Sequence, residues 1–203
     1  MFSNGTLNII EIYGLRMSKL RLKSRISLIT GGSGGFGIAT CERFTEEGST
    51  VILADINEQK LNNLTTEYQN RSDQIRTYFL DVSNFTQVES VINKVVTEFG
   101  RIDILVNNAG YLPKSDNWLE EPIKDWQEGI NVNLSGEYFC ARAVAKQMID
   151  RKQGRIINIS SSAFRHGGIS GGGGVSYTSS KAGVIGLTRS LAKALGPYNI
   201  TVN

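Results

Sequence analysis

Short apolar runs alternate with stretches in which apolar residues return every three or four positions, from residue 25 to the end of the chain. The runs are ISLIT (26–30), VILAD (51–55), IRTYFL (75–80), IDILVN (102–107) and RIINIS (155–160). Each is brief, rich in Ile, Val or Leu, and mostly apolar on both faces, the pattern of a parallel strand buried on both sides. Between them the periodicity predicts helices near 36–47, 57–69, 84–99, 122–150 and 177–195. Val184, Leu187, Leu191 and Leu195 lie at helical spacing in the last, a core stripe. Strand–helix alternation with right-handed crossovers predicts an α/β fold with a doubly wound parallel sheet. Ligands of such sheets bind at the carboxyl ends of the strands.

Composition changes this picture little. A chain of 203 residues, 40% hydrophobic and 20% charged, suits one soluble domain with a substantial core. Residues 1–24 precede the first strand and are expected to form an N-terminal appendage, with 25–203 as the domain. Met17 opens MSKLRLKSRISLITGG, a more natural start than Met1. The net charge of +3 is small and its Lys and Arg are scattered, so no nucleic-acid partner is expected. No run approaches the ~18 apolar residues of a membrane span. The opening MFSNGTLNIIEIYGL lacks a basic segment and Glu11 interrupts it, so no secretory signal is expected. Cys41 and Cys140 sit in separate helical patterns and read as reduced core thiols, which fits a cytoplasmic protein. No Cys, His or carboxylate spacing suggests a metal. The run GGISGGGGVS (167–176) reads as a flexible loop.

Candidate chemistry begins with ISLITGGSGGFGIAT, a strand, a glycine-rich turn and a helix in direct succession. Glycines let a backbone approach a pyrophosphate, and a helix N-terminus favours negative charge there. The spacing fits G-x-G-x-x-G through Gly32, Gly34 and Gly37, and T-G-x-x-x-G-x-G through Gly31, Gly35 and Gly37. Asp55 ends the second strand, where a carboxylate can take the hydroxyls of an adenosine ribose. A carboxylate repels a 2′-phosphate, and the loop holds no Arg or Lys, so NAD is expected over NADP.

The second candidate is VSYTSSKAGV (175–184). Of seven tyrosines, only Tyr177 has a lysine four positions on, Lys181, one helical turn away on the same face. A phenol is a poor base at neutral pH, and a neighbouring ammonium favours its ionised form. That pairing suits proton transfer.

These motifs, with LDVS (80–83), NNAG (107–110), NVNLSG (131–136) and INISSS (157–162) in order, resemble the short-chain dehydrogenase/reductase family from about Leu22 onward. The resemblance implies a Rossmann-like fold. It implies that Gly31, Ser33, Gly35, Phe36, Gly37, Asp55 and Ile56 contact the cofactor. Asp81 and Val82 would hold the adenine, and Asn108, Ala109 and Gly110 would line the cofactor, with Asn107 bracing the sheet. Asn133 matches a residue that holds a water beside the catalytic lysine, Ser161 the catalytic serine, and Tyr177 with Lys181 the acid/base pair. Lys181 would also bind the nicotinamide ribose. Ser160 and Ser162 flank Ser161, and a register one residue away is the alternative.

The implied activity is hydride transfer between NAD and a secondary alcohol or ketone, with Tyr177 as general acid/base. Family members continue beyond the sixth strand, which NITVN (199–203) begins, through a substrate lid and a seventh strand. A chain without them is expected to lack the region that chooses substrate, and a non-catalytic NAD-binding or scaffold protein is the alternative reading. The loop also fits the T-G-x-x-G-x-x-G of sugar-nucleotide epimerases, against which NNAG and Asn133 argue. The family's helices here at 122–150 and 177–195 build a dimer interface, which implies a homo-oligomer. His166 reads as a solvated loop residue, and Trp118 and Trp126 as covering the cleft or packing on the sheet.

Overall fold

The computed structural model describes residues 20–113, 117–168 and 174–203. Residues 1–19 of the expected appendage and 169–173 of the glycine run lie outside them. Among the described residues, six strands form one parallel sheet: β1 (Ile26–Thr30), β2 (Thr50–Asp55), β3 (Ile75–Phe79), β4 (Ile104–Asn107), β5 (Gly154–Asn158) and β6 (Ile200–Val202). Their order is β3-β2-β1-β4-β5-β6, every pairing parallel. The chain winds outward from β1 to β3, then returns to lay β4 on the other side of β1. That reversal opens a crevice at the carboxyl ends of β1 and β4, where such sheets hold ligands.

Among the described residues, seven α-helices connect the strands: α1 (Gly35–Glu46), α2 (Glu58–Glu67), α3 (Phe85–Phe99), α4 (Ile123–Ile130), α5 (Gly136–Arg151), α6 (Ala163–His166) and α7 (Val175–Leu195). Consecutive strand residues point to opposite faces, so the central strands feed two cores. Leu28, Ile52, Leu105 and Ile156 pack with Val88 and Val95 of α3, Val144 and Met148 of α5, and Leu195 of α7. Ile29, Leu53 and Val106, their neighbours, pack with Cys41 of α1 and Leu64 of α2. Both cysteines are free and buried, and burial pushes each thiol up to about 12. Sequence-local signals set several ends. Asn57 and Asn84 cap α2 and α3 by accepting the N–H of Lys60 and Gln87, and Gly100 closes α3 in the left-handed conformation (φ 79°).

The structure departs from the expected boundaries in four places. The single helix expected over 122–150 is α4, a turn of π-helix at Asn131–Ser135, and α5. The Gly136 N–H closes the wide turn on the Asn131 carbonyl, and the backbone stays in the right-handed region throughout. α7 begins at Val175, inside the expected glycine loop, and ends the loop reading for Val175 and Ser176. β4 starts at Ile104, just after Asp103, whose carboxylate accepts the Ile26 N–H at 3.0 Å. β5 stops at Asn158 and the chain makes the single turn α6, which places His166 at a helix end rather than in a loop.

The last residues of the expected appendage lie against the end of α1. Leu22 and Ser24 donate their N–H groups to the carbonyls of Glu47 and Gly48, and Arg21 pairs with Glu47 at 2.9 Å. None of the described helices is long and apolar enough to cross a membrane.

Candidate active site

A cavity of about 600 Å³ opens at the carboxyl ends of β1, β2 and β4. Gly31, Ser33, Gly35, Phe36, Asp55, Ile56, Asp81, Val82, Asn108, Ala109, Gly110 and Tyr177 all border it. Gly37, Asn133, Ser161 and Lys181 do not.

The floor is backbone. Gly31 sits at φ 62°, and a Cβ there would lie 2.8 Å from the Ala109 Cα. A Cβ on Gly37 would lie 2.6 Å from the Gly31 carbonyl oxygen, so α1 packs on the loop only because that position is bare. Gly35, by contrast, faces open space. The N-cap of α1, Gly34, provides no side-chain hydrogen bond, which leaves first-turn N–H groups available to an anion. Asp55 holds the loop: Oδ2 accepts the Ser33 N–H and Oδ1 the Asn57 N–H, both at 2.9 Å. Asp81 Oδ1 accepts from the Ser83 N–H and hydroxyl.

Asn108 and Thr30 tie the end of β4 to this loop. Asn108 Nδ2 donates to the carbonyls of Thr30 and Gly31, and Thr30 Oγ1 accepts the N–H groups of Asn108 and Ala109. Asn107 braces the sheet, donating to the Glu137 carbonyl and to Asn158 Oδ1.

The opposite wall rises from α5, the loop after β5 and α7. Tyr177 lies in the first turn of α7, half-buried, with its N–H on the Gly174 carbonyl. One turn on, Lys181 is buried and its Nζ donates to the Ile159 carbonyl and to Glu137 Oε1, at 3.2 Å from the latter. Asn133 is buried in the π-turn. Its Oδ1 accepts the Tyr111 N–H at 2.7 Å, and its Nδ2 donates to the Tyr111 carbonyl and the Ser180 hydroxyl. Its side chain thus clamps the segment after β4 to α7, and the extra residue of the π-turn is what aims it there.

The three serines separate by the α6 turn rather than by strand alternation, because β5 has ended. Ser160 donates to the Lys181 carbonyl and so faces α7. Ser161 is half-buried and its Oγ accepts the Ala163 N–H at 3.2 Å. Ser162 is exposed. His166 is exposed at the end of α6, and Trp118, 67% accessible, and Trp126 are exposed too, so neither indole packs on the sheet.

Two residues of this wall had no place in the sequence reading. Glu121 caps α7 from 54 residues away, accepting the Val175 N–H at 3.0 Å and the Ser176 hydroxyl. Glu137 is buried against Lys181 and carries its own signal. It shares the inward face of α5 with Cys140, Ala141, Val144 and Met148, a carboxylate in an apolar stripe. Burial pushes Glu137 up to about 7, against the opposing pull of Lys181. Among the described residues, no group of three or more His, Cys, Asp or Glu could hold a metal.

The family described as short chain dehydrogenase matches residues 25–203. The chain is 40% identical over 182 residues to the (2S)-[(R)-hydroxy(phenyl)methyl]succinyl-CoA dehydrogenase subunit BbsD of Thauera aromatica, covering 90% of this chain and 71% of that one. It is 40% identical over 184 residues to the 3-oxoacyl-[acyl-carrier-protein] reductase FabG of Thermotoga maritima, covering 91% and 73%. A solved structure of NAD+-bound xylitol dehydrogenase superposes with a TM-score of 0.83 at 34% identity, over 90% of this chain and 69% of that one.

Proposed function

We propose that this chain, which belongs to the short-chain dehydrogenase family, transfers a hydride between NAD and a secondary alcohol or ketone, with Tyr177 as general acid/base. The observation that carries the reading is one cavity bordered by the glycine loop, by Asp55 and by Tyr177. The residues fit a dinucleotide. The bare Gly35 and the open N-terminus of α1 suit a pyrophosphate, and Asp55 keeps acceptor capacity on both oxygens for ribose hydroxyls. Three carboxylates, Asp55, Asp81 and Glu128, border the cavity against one cation, Lys60, a balance that disfavours a 2′-phosphate. Bound there, NAD supplies the hydride acceptor or donor.

Tyr177 would take the substrate hydroxyl proton in oxidation and return it to the carbonyl oxygen in reduction. Ser161 would give that oxygen a second hydrogen bond once its hydroxyl leaves the Ala163 N–H. Lys181 supplies the positive charge one turn behind the phenol, held by the Ile159 carbonyl and Glu137. Asn133 would act through its clamp on Tyr111 and Ser180, fixing α7 against the end of β4. Ile56, Phe36 and Val82 provide apolar surface along the cavity for the base and sugar. The buried free thiols support a reducing, cytoplasmic setting, and α4, α5 and α7 are the proposed dimer face, which light scattering tests.

NADH formation from a panel of secondary alcohols, measured beside NAD and NADP binding by calorimetry, tests this reading. Turnover with NAD and weaker binding of NADP support it. NAD binding without turnover on any alcohol or ketone would contradict it.

A further inference from the structure

The Lys181–Glu137 pair is an unusual thing to bury. Their side chains are 4% and 2% accessible, and moving two charges out of water costs several kcal/mol per ion unless every polar atom finds a partner. Lys181 is well provided, with the Ile159 carbonyl and Glu137 Oε1. Glu137 is not: among the described residues its buried Oε2 finds no hydrogen-bond partner, and neither does Asn107 Oδ1, whose amide nitrogen donates to the Glu137 carbonyl. A purely structural ion pair would not leave half of its carboxylate idle. Apolar residues of the same volume would serve packing better.

We propose that Glu137 is a positioning residue for the acid/base pair: its carboxylate holds the Lys181 ammonium at the inner end of the site and offsets part of the positive charge that Lys181 presents to Tyr177. The inference rests on the reading of Tyr177 and Lys181 as that pair. Few groups compete for Glu137. From α7 it meets Lys181; on the inward face of α5 the next titratable group is the Cys140 thiol, kept neutral by burial and by Glu137 itself, and α3, packed on α5, buries only Val88, Val91, Ile92 and Val95. β4 and β5 contribute the uncharged amides of Asn107 and Asn158, linked to each other at 2.9 Å. A carboxyl with one cationic neighbour and an idle oxygen can gain a proton near neutral pH without dismantling its surroundings. Above that point the charge of Lys181 is offset; below it, the charge acts on the phenol in full.

The consequence is directional. Replacing Glu137 by an uncharged isostere leaves the Lys181 charge unopposed above the point where Glu137 ionises as well as below it. The test is the pH profile of kcat for alcohol oxidation in wild type and Glu137→Gln. The variant's acid limb should move down by about half a pH unit or more. A uniform loss of rate with the limb unmoved would reduce Glu137 to packing and overturn the proposal. A second measurement needs neither cofactor nor turnover. In 13C NMR of the free protein, the Glu137 carboxyl should titrate near neutral pH in wild type and at higher pH in Lys181→Met. An unchanged midpoint would overturn the proposal even if Glu137→Gln does not fold. Wild type inactive on every alcohol would instead count against the hydride-transfer reading, and the NMR titration would still decide the Lys181–Glu137 coupling.

Discussion

Two buried carboxylates sit at opposite ends of the sheet, each 2% accessible, and they are treated differently. At the amino end, Asp103 accepts the Ile26 N–H at 3.0 Å and pairs with Arg101 at 2.9 Å, Arg151 at 3.0 Å and Arg25 at 3.5 Å. At the carboxyl end, Glu137 pairs with Lys181 at 3.2 Å and leaves Oε2 without a partner. Burial pushes both upward. For Asp103 the Ile26 N–H and the guanidiniums outweigh it and hold the carboxyl below its ordinary value, whereas Glu137 rises to about 7. Saturated hydrogen bonding fixes a charge; partial hydrogen bonding keeps it able to change. The saturated carboxylate suits a structural role, and the half-satisfied one suits the proposed chemistry.

Removing the saturated carboxylate should have the largest effect. Asp103→Asn leaves three guanidiniums facing one another and should cost about 2–4 kcal/mol, discounted for the partial exposure of the arginines. Urea unfolding measures the loss. Because the folded value of Asp103 is lowered, its contribution is present above the ordinary carboxylate range and fades as pH falls through that lower value.

Glu137 predicts the opposite sign. Its value rises on folding from 4.5 to about 7, so the folded state binds more protons between those limits. Its contribution is full below the lower limit and is lost as pH climbs through the upper one, on the order of 3 kcal/mol if the whole shift is realised. Wild type should therefore lose stability relative to Glu137→Gln across that window. A parallel pair of stability–pH curves would erase the contrast between the two carboxylates.

The smaller effects compare two glycines of one loop. Gly37→Ala puts a Cβ 2.6 Å from the Gly31 carbonyl and should cost about 1–3 kcal/mol by thermal or urea unfolding. Gly35→Ala enters open space at the start of α1 and should change stability by less than about 0.5 kcal/mol while weakening NAD in calorimetry. Equal stability losses at both positions would show that the loop is a structural turn only.

The strand ladder and the glycine loop were legible in the sequence because their signals are local. Apolar runs marked five of the six strands within about two residues, and the helical periodicity placed the starts of α2 and α3 at Asn57 and Asn84, which cap them. The site was legible as positions but not as contacts. Asn133 was singled out, yet its partners are Tyr111 and Ser180, 22 and 47 residues away, and the π-turn that aims it has no local sequence sign. Glu121 and Glu137 act across 54 and 44 residues. A carboxylate on the apolar stripe of α5 was the one clue to Glu137, and it needed the partner on α7 to acquire meaning. Distances of that kind are set by packing, which no short window of sequence contains.

The most direct test of the whole account is the steady-state oxidation rate of a secondary alcohol by wild type and by Tyr177→Phe, both saturated with NAD. Tyr177→Phe should lose a factor of about 10²–10⁴ in kcat while its NAD affinity stays within about twofold. Undiminished turnover by Tyr177→Phe would contradict the account.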